Sequence, residues 1–277
     1  MNLLTRALIC ATTVALCAGA TTPLNADRTV VSFSDPSRPG TLVVRIVMGG
    51  IVIKGADVKD VTIDSHSRDN FHGPMSSDPE EESRGLRRLM QGTSITVEEH
   101  DNRITIESPV ITRPADMEIQ VPRHTNLEVS SVNAGDITVE GVDGELEVGN
   151  VNGAITLNNV GGSVVAHTVN GRVMAKLTRV TPQKSMAFTS LNGAVDVSLP
   201  PAAKANLKLR SDNGSIFTDF DLHVLSDPGS PVREDTRGEG GRFRIEVNKA
   251  VYGSVNGGGP EIEARTFNGN VYVRKGS

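Results

Sequence analysis

Apolar positions between Leu127 and Ala175 recur with a fixed beat. They fall at Leu127, Val129, Val132, Ile137, Val139, Val142, Leu146, Val148, Val151, Ile155, Leu157, Val160, Val164, Ala166, Val169, Val173 and Ala175. The steps between them read 2, 3, 5 and then 2, 3, 4 again and again. The single step of 5 comes from Ala134, inserted between Asn133 and Gly135. Two apolar residues two apart share one face of a strand. Val, Ile and Leu suit such a half-buried, pleated surface. The third apolar residue is out of phase with a straight strand, so a bend is expected to turn it inward. A pair such as Asn-Gly, Asp-Gly or Gly-Gly then supplies residues that tolerate positive φ. Each unit thus reads as one short strand and one corner.

Asn-Gly between strands is also a strong hairpin signal, so an antiparallel meander is the competing architecture. Alternate strands of a meander run in opposite directions and would mirror the order of steps. Here 2-3-4 always runs the same way. Units related by translation predict an all-β fold of the β-solenoid type, a parallel β-helix-like stack of short strands with Asn-Gly corners. Asn occupies the turn at positions 133, 152, 170, 192 and 213, with Asp143-Gly144 and Gly161-Gly162 between the early ones. One coil is therefore about two strand units. Like corners should stack about 4.8 Å apart, and the Asn side chains should form a hydrogen-bonded ladder.

The beat also divides the chain. Residues 126–277 read as regular repeats, returning at Met186, Phe188, Leu191, Val195 and Val197, and again at Ile262, Ala264, Phe267, Val271 and Val273. Leu177–Lys184 and Pro200-Pro201 mark insertions, and residues 226–242 read as a polar loop. Residues 41–125 read as an irregular β region with a charged, Pro- and Gly-containing loop over 65–92. Asp101-Asn102 reads as a hairpin turn. Residues 21–40, with Pro23, Pro36 and Pro39, read as a linker or N-terminal cap.

Residues 1–20 have the form of a secretory signal: Arg6, an apolar run over residues 7–18, and Ala18-Gly19-Ala20 as a cleavage site near Ala20. That run is too short to cross a bilayer, and no membrane span is expected in the mature chain. Cys10 and Cys17 both lie in this segment, so the mature protein is expected to have neither disulfide nor thiolate chemistry. Lipidation at Cys17 is disfavoured, because Leu16 stands where a small residue is wanted. The chain carries 28 Lys and Arg against 33 Asp and Glu. Loss of Arg6 leaves 27 against 33, a formal charge of −6, which argues against nucleic acid as a partner. The compartment expected is periplasmic, cell-surface or secreted.

Several residues resemble a known family. Met117-Glu-Ile-Gln-Val-Pro122 followed by Thr125-Asn-Leu-Glu-Val129, the turns Val151-Asn-Gly153, Val169-Asn-Gly171 and Leu191-Asn-Gly193, and the ending from Gly257-Gly-Gly-Pro260 to Phe267-Asn-Gly-Asn-Val271 are similar to the DUF4097 family. These are bacterial β-strand-repeat proteins labelled as candidate adhesins. The resemblance spans roughly residues 42–273, interrupted at 65–92. It implies the fold, and no functional residues follow from it.

Chemistry is sparse. His66, Asp69 and His72 match no zinc spacing. Turns that bind Ca²⁺ need repeated Asp, and Asp143 stands nearly alone. Glu140, Glu145 and Glu147 are the candidate carboxylates for glycan cleavage, yet alternating strands produce such sets by default. His100, His124 and His167 lack a nucleophile context, and no nucleotide-binding fingerprint occurs. No catalytic residue, metal ligand or cofactor is therefore assigned. Glu128, Thr138, Thr156, Asn158, Thr168 and Lys176 are expected to form flat outward strips. The expected function is non-enzymatic: an exported adhesin or envelope-associated binding or scaffold protein. A cell-surface glycan, a cell-wall polymer or an envelope protein is the candidate partner. The alternatives are a carbohydrate-active enzyme on a β-helix and a passive spacer.

Overall fold

The computed structural model describes residues 28–67, 95–108, 114–133, 135–224, 231–235, 243–247 and 250–276. The expected signal with Cys10 and Cys17, Ala134, and most of the expected loops at 65–92 and 226–242 lie outside the described residues. All regular structure among those described is strand. In chain order the strands are β1 (Arg28–Ser32), β2 (Gly40–Met48), β3 (Ile51–Ala56), β4 (Asp60–Ser67), β5 (Thr96–His100), β6 (Arg103–Ser108), β7 (Ala115–Pro122) and β8 (Thr125–Asn133). Next come β9 (Ile137–Glu140), β10 (Asp143–Asn152), β11 (Ile155–Asn170), β12 (Val173–Leu177), β13 (Met186–Asn192), β14 (Val195–Leu199), β15 (Ala205–Asn213) and β16 (Ile216–Thr218). The remainder are β17 (His223–Val224), β18 (Pro231–Asp235), β19 (Phe243–Val247), β20 (Ala250–Val255), β21 (Glu261–Asn268) and β22 (Val271–Lys275).

The strands line up on two faces. The first runs β5-β6-β2-β8-β10-β11-β13-β21-β15-β20-β17. The second runs β1-β4-β7-β3-β9-β11-β12-β14-β22-β16. β11 serves both: its first half pairs with β9 and β12, its second half with β10 and β13. Pairing is parallel throughout the interior of both faces, as the unreversed order of steps requires. Antiparallel pairs stand only towards the ends, at β5–β6, β15–β20 and β17–β20 on one face and at β1–β4 and β4–β7 on the other. Such end strands cover parallel edges that would otherwise be open. Asp101 and Asn102 turn β5 into β6 with φ of 52° and 63°.

The rungs do not stack in chain order. β2 and β3 stand between the rung of β6 and β7 and that of β8 and β9. Residues 41–125, read as irregular, thus supply strands in parallel register with the repeats. At the other end, β21 and β22 are wedged between β13/β14 and β15/β16. Inside the expected polar loop at 226–242, β18 forms a strand and pairs antiparallel with β19 as a separate two-stranded sheet.

Inward aliphatics from both faces make one core, in which Leu42, Ile53, Ile119, Val148, Leu157 and Phe188 are fully buried. The expectation that every third apolar residue turns inward fails along one of the two lines of corners. Val142 and Val160 are buried, but Val132, Val151, Val169, Leu191 and Phe267 are exposed. On the first face the strand runs straight to its Asn, so alternation continues and these side chains point outward. At the opposite corner positive φ at Gly141 (67°) and Asn159 (53°) resets the phase. Thr168, expected outside, is buried for the same reason.

Candidate functional site

The most regular feature is the Asn-Gly corner. The Nδ2 of Asn152 donates to Oδ1 of Asn133 at 2.6 Å, that of Asn170 to Asn152 at 2.8 Å, and that of Asn192 to Asn170 at 2.8 Å. Asn268 then donates to Asn192 at 2.7 Å and Asn213 to Asn268 at 2.9 Å. The expected ladder exists, with one correction: Asn268 separates Asn192 from Asn213. Two residues before each ladder Asn stands an inward polar group. Ser131, Thr168, Ser190, Ser211 and Thr266 each donate a hydroxyl to the carbonyl of a corner glycine in the neighbouring rung, at 2.7–3.1 Å. Asn150 does so through Nδ2, onto Gly135 at 3.0 Å. The corner glycines stack so closely that a Cβ on Gly171 would lie 2.1 Å from the Gly153 oxygen. These donors went unread in the sequence. Their signal is the recurring Ser, Thr or Asn in the column two before Asn-Gly.

Among the shallow surface grooves of the described residues, two border the candidate residues named above. One, of about 660 Å³, follows the opposite corner and is lined by Lys54, Arg123, His124, Glu140 and Asp143 among others. The other, of about 350 Å³, crosses the first face past Glu147, Gly149, His167 and the exposed valines 132, 151 and 169. Charges on both faces are largely paired. Arg103 holds Glu128 through two bonds of 3.0 and 2.5 Å, and that guanidinium keeps the Glu128 carboxyl below its ordinary range. Lys54 does the same for Glu118. Arg179 pairs with Asp143 and Lys184 with Glu145.

The three candidate carboxylates do not converge. Glu140 lies on the second face, whereas Glu145 and Glu147 sit two apart on β10 of the first. His66 lies on β4, while Asp69 and His72 fall outside the described residues. His100 sits at the end of β5, His124 lies 3.8 Å from Asp143, and His167 packs over Gly149. Among the described residues no three His, Cys, Asp or Glu side chains gather as a metal-holding group.

The second face carries an outward column four residues after the ladder Asn: Thr156, Met174, Asp196, Tyr272 and Phe217 in spatial order, with Thr138 in line before them. Tyr272 and Phe217 stack with centroids 5.2 Å apart and planes 12° apart. Arg274 lies over Tyr272 at 4.8 Å and holds Asp196 at 3.0 Å. Phe217 is half exposed. The rings were not singled out from sequence, because their columns meet only once β22 is inserted beside β16.

Residues 132–229 match a family model described as Toastrack DUF4097. Over this stretch the chain is similar to that family. The match covers the middle rungs and stops before β21 and β22, which are nevertheless wedged among them. Two solved structures are similar to the chain. One is described as a "putative cell adhesion protein" from Clostridium sporogenes ATCC 15579, with 11% identity over 90% of this chain and 99% of that one, at a TM-score of 0.45. The other, a "putative adhesin" from Bacteroides fragilis NCTC 9343, shares 11% identity over 90% of this chain and 95% of that one, at a TM-score of 0.31. No curated protein matches the chain. Among the described residues no helix is long and apolar enough to cross a membrane.

Proposed function

We propose that this chain is a β-solenoid of about two strand units per coil that works outside the cytoplasmic membrane as a non-enzymatic binding protein of the adhesin kind. The observation that carries the reading is the outward column on the second face. A column of Thr138, Thr156 and Met174 runs through Asp196 into two stacked rings, with Arg274 over the first of them. Rings offer flat apolar area, and a nearby carboxylate and guanidinium offer hydrogen bonds to hydroxyls. That combination suits a glycan or cell-wall polymer lying along the row. Export is part of the proposal and rests on the signal-like segment at residues 1–20.

The test is a binding screen of the purified protein against glycans and cell-wall polymers. Phe217→Ala and Tyr272→Ala should each weaken a hit at least about tenfold, given what one buried ring contributes to a site. Binding that neither substitution alters would overturn the placement on this face. Release of shortened glycan during incubation would overturn the non-enzymatic reading.

A further inference from the structure

Asn152, Asn170, Asn192, Asn213, Asn256 and Asn268 are each followed by Gly. In such a pair the side-chain amide is open to attack by the next backbone nitrogen, because glycine has no Cβ to block the approach. The stack shields these pairs unequally. Asn170, Asn192 and Asn268 each donate Nδ2 to one ladder neighbour and accept through Oδ1 from the other. The N–H of the glycine after each is engaged too: Gly171 on Asn192, Gly193 on Asn268 and Gly269 on Asn213, at 2.9–3.2 Å. The amide of Asn152 is likewise held from both sides. Asn213 is the last of the column. Its Nδ2 donates to Asn268 at 2.9 Å, but among the described residues nothing donates to its Oδ1, and the Gly214 N–H has no acceptor. β20 covers β15 only as far as Arg210, and β16 pairs with β22 alone, so no described strand lies beyond this corner. Asn213 and Gly214 are both exposed, whereas Gly153, Gly171, Gly193 and Gly269 are half-buried. Asn256 and Gly257 are exposed as well. There, however, Asn256 Nδ2 donates to the carbonyls of Pro201 and Ala203 at 3.0 and 2.7 Å, and the Gly258 N–H closes the turn on Val255.

We propose that Asn213-Gly214 is a site of spontaneous deamidation, through which the last rung of the stack is released as the protein ages. The Gly214 nitrogen, its proton taken by base, attacks Cγ of Asn213. The new N–Cγ bond closes a succinimide ring while the Cγ–Nδ2 bond breaks, and the side-chain nitrogen leaves with a proton as ammonia. Water then opens the ring at either of its carbonyls. Cleavage between Cγ and the nitrogen gives Asp on an unchanged main chain. Cleavage at the backbone carbonyl gives isoaspartate, in which the main chain runs through Cβ and Cγ and is one atom longer. Water is the only co-reactant, and nothing is oxidised or reduced.

Either product removes the Nδ2 donor and sets a carboxylate against Oδ1 of Asn268, so two acceptors face each other where a bond stood. Isoaspartate also lengthens the chain between β15 and β16. β16 is short, is paired on one side only, and carries Phe217, the ring stacked on Tyr272. The contacts that seat this rung flank the altered residue: the Ser211 hydroxyl on the Gly269 carbonyl and the Ser215 N–H on Asn270. Deamidation should therefore loosen β16 and part Phe217 from Tyr272 while the inner rungs stay folded. The conversion itself is independent of what the second face binds.

The test is to age the purified protein in warm, mildly alkaline buffer and to locate each amide turned acid by peptide mass mapping. Asn213 should convert at least about fivefold faster than Asn152, where one further bond must open first, and about tenfold faster than Asn170, Asn192 or Asn268, where two must. It should also lead Asn256. In urea all of these pairs should convert at similar rates, because only the fold separates them. Asn213→Gln, whose ring closure is slower, should remove the fast conversion. Hydrogen exchange at β16 should quicken at least about tenfold in the aged wild type and in Asn213→Asp, with β13 unchanged. Even conversion along the folded ladder, or Asn256 leading, overturns the site. Exchange at β16 that stays at the starting rate in aged protein converted at Asn213 overturns the release of the rung, and that measurement does not depend on any variant folding.

Discussion

At the corner where the first face gives way to the second, Asn152, Asn170, Asn192, Asn268 and Asn213 repeat one arrangement, each followed by a glycine. At the opposite corner the chain does something different each time. It crosses through Gly141-Val142, passes within β11 at Asn159, spends residues 178–185 between β12 and β13, and residues 200–204 between β14 and β15. The first corner is held between rungs, by amide ladders, buried hydroxyls and glycines in backbone contact. The second is held mainly by burying one aliphatic per rung, such as Val142, Val160 or Leu199. A bond that needs the same atom at the same height in the next rung tolerates little length change. A buried methyl group tolerates more. The two longer insertions legible in the sequence fall at the second corner, whereas the first admits only the single residue Ala134.

The largest expected effect comes from inserting four Gly-Ser residues at each corner. Between Asn170 and Gly171 the insertion breaks the ladder and the glycine stack at once and should cost more than about 4 kcal/mol. Between Lys184 and Ser185, both exposed, it should cost about 1 kcal/mol or less, since loop closure depends weakly on length. Urea unfolding midpoints measure both, and equal losses would dissolve the distinction.

Glycine substitutions sharpen it. Gly171→Ala places a methyl group against the Gly153 carbonyl and should cost about 3 kcal/mol. Gly141→Ala meets its nearest atom only at 3.3 Å and carries just the strain of a φ of 67°, so about 1 kcal/mol is expected. Thermal melts of the pair decide between contact and conformation.

Next come the buried donors. Thr168→Val keeps the shape but leaves the Gly153 carbonyl without its donor, for a loss of about 1–3 kcal/mol. Thr138→Val, on the outward side of the second face, should lie within about 0.5 kcal/mol of wild type. Similar losses for both would mean that the hydroxyl ladder holds nothing.

The smallest effect concerns local polar contacts bordering the variable corner. The Ser37 hydroxyl, the Arg38 guanidinium and the Ser37 backbone N–H hold the Asp35 carboxyl down at about 2, from an ordinary 3.8. A depressed carboxylate contributes stability that is present above its unfolded value and lost as pH falls from about 3.8 through 2. Carboxyl NMR titration should show the low value, and Ser37→Ala should raise it. An Asp35 that titrates in the ordinary range would remove these contacts from the account.

Much of the fold was legible because its signals are local. Alternation such as Leu127-Val129 or Ile155-Leu157 marks strands, Asn-Gly marks corners, and an unreversed order marks parallel pairing. The Asn ladder was legible for the same reason, since its period is written in the chain. The outward turn of Val151 and Leu191 was not. Spacing alone does not reveal whether a strand bends or runs on, and the answer lay in the Ser, Thr or Asn that fills the inward place instead. The rings of Tyr272 and Phe217 were hidden by order, being 55 residues apart in sequence and adjacent in space.

By itself, then, the chain's lettering determined what each unit is: a strand of aliphatics closed by a glycine corner, copied without reversal. Only the tertiary structure decided which unit sits beside which, seating β21 and β22 inside the stack and β2 and β3 between later rungs. The physical reason is that the units are nearly interchangeable. Each offers the same backbone edge and a similar aliphatic profile, so its neighbours are chosen by the reach of the connections and the need to cover the ends, and neither is written in any single repeat.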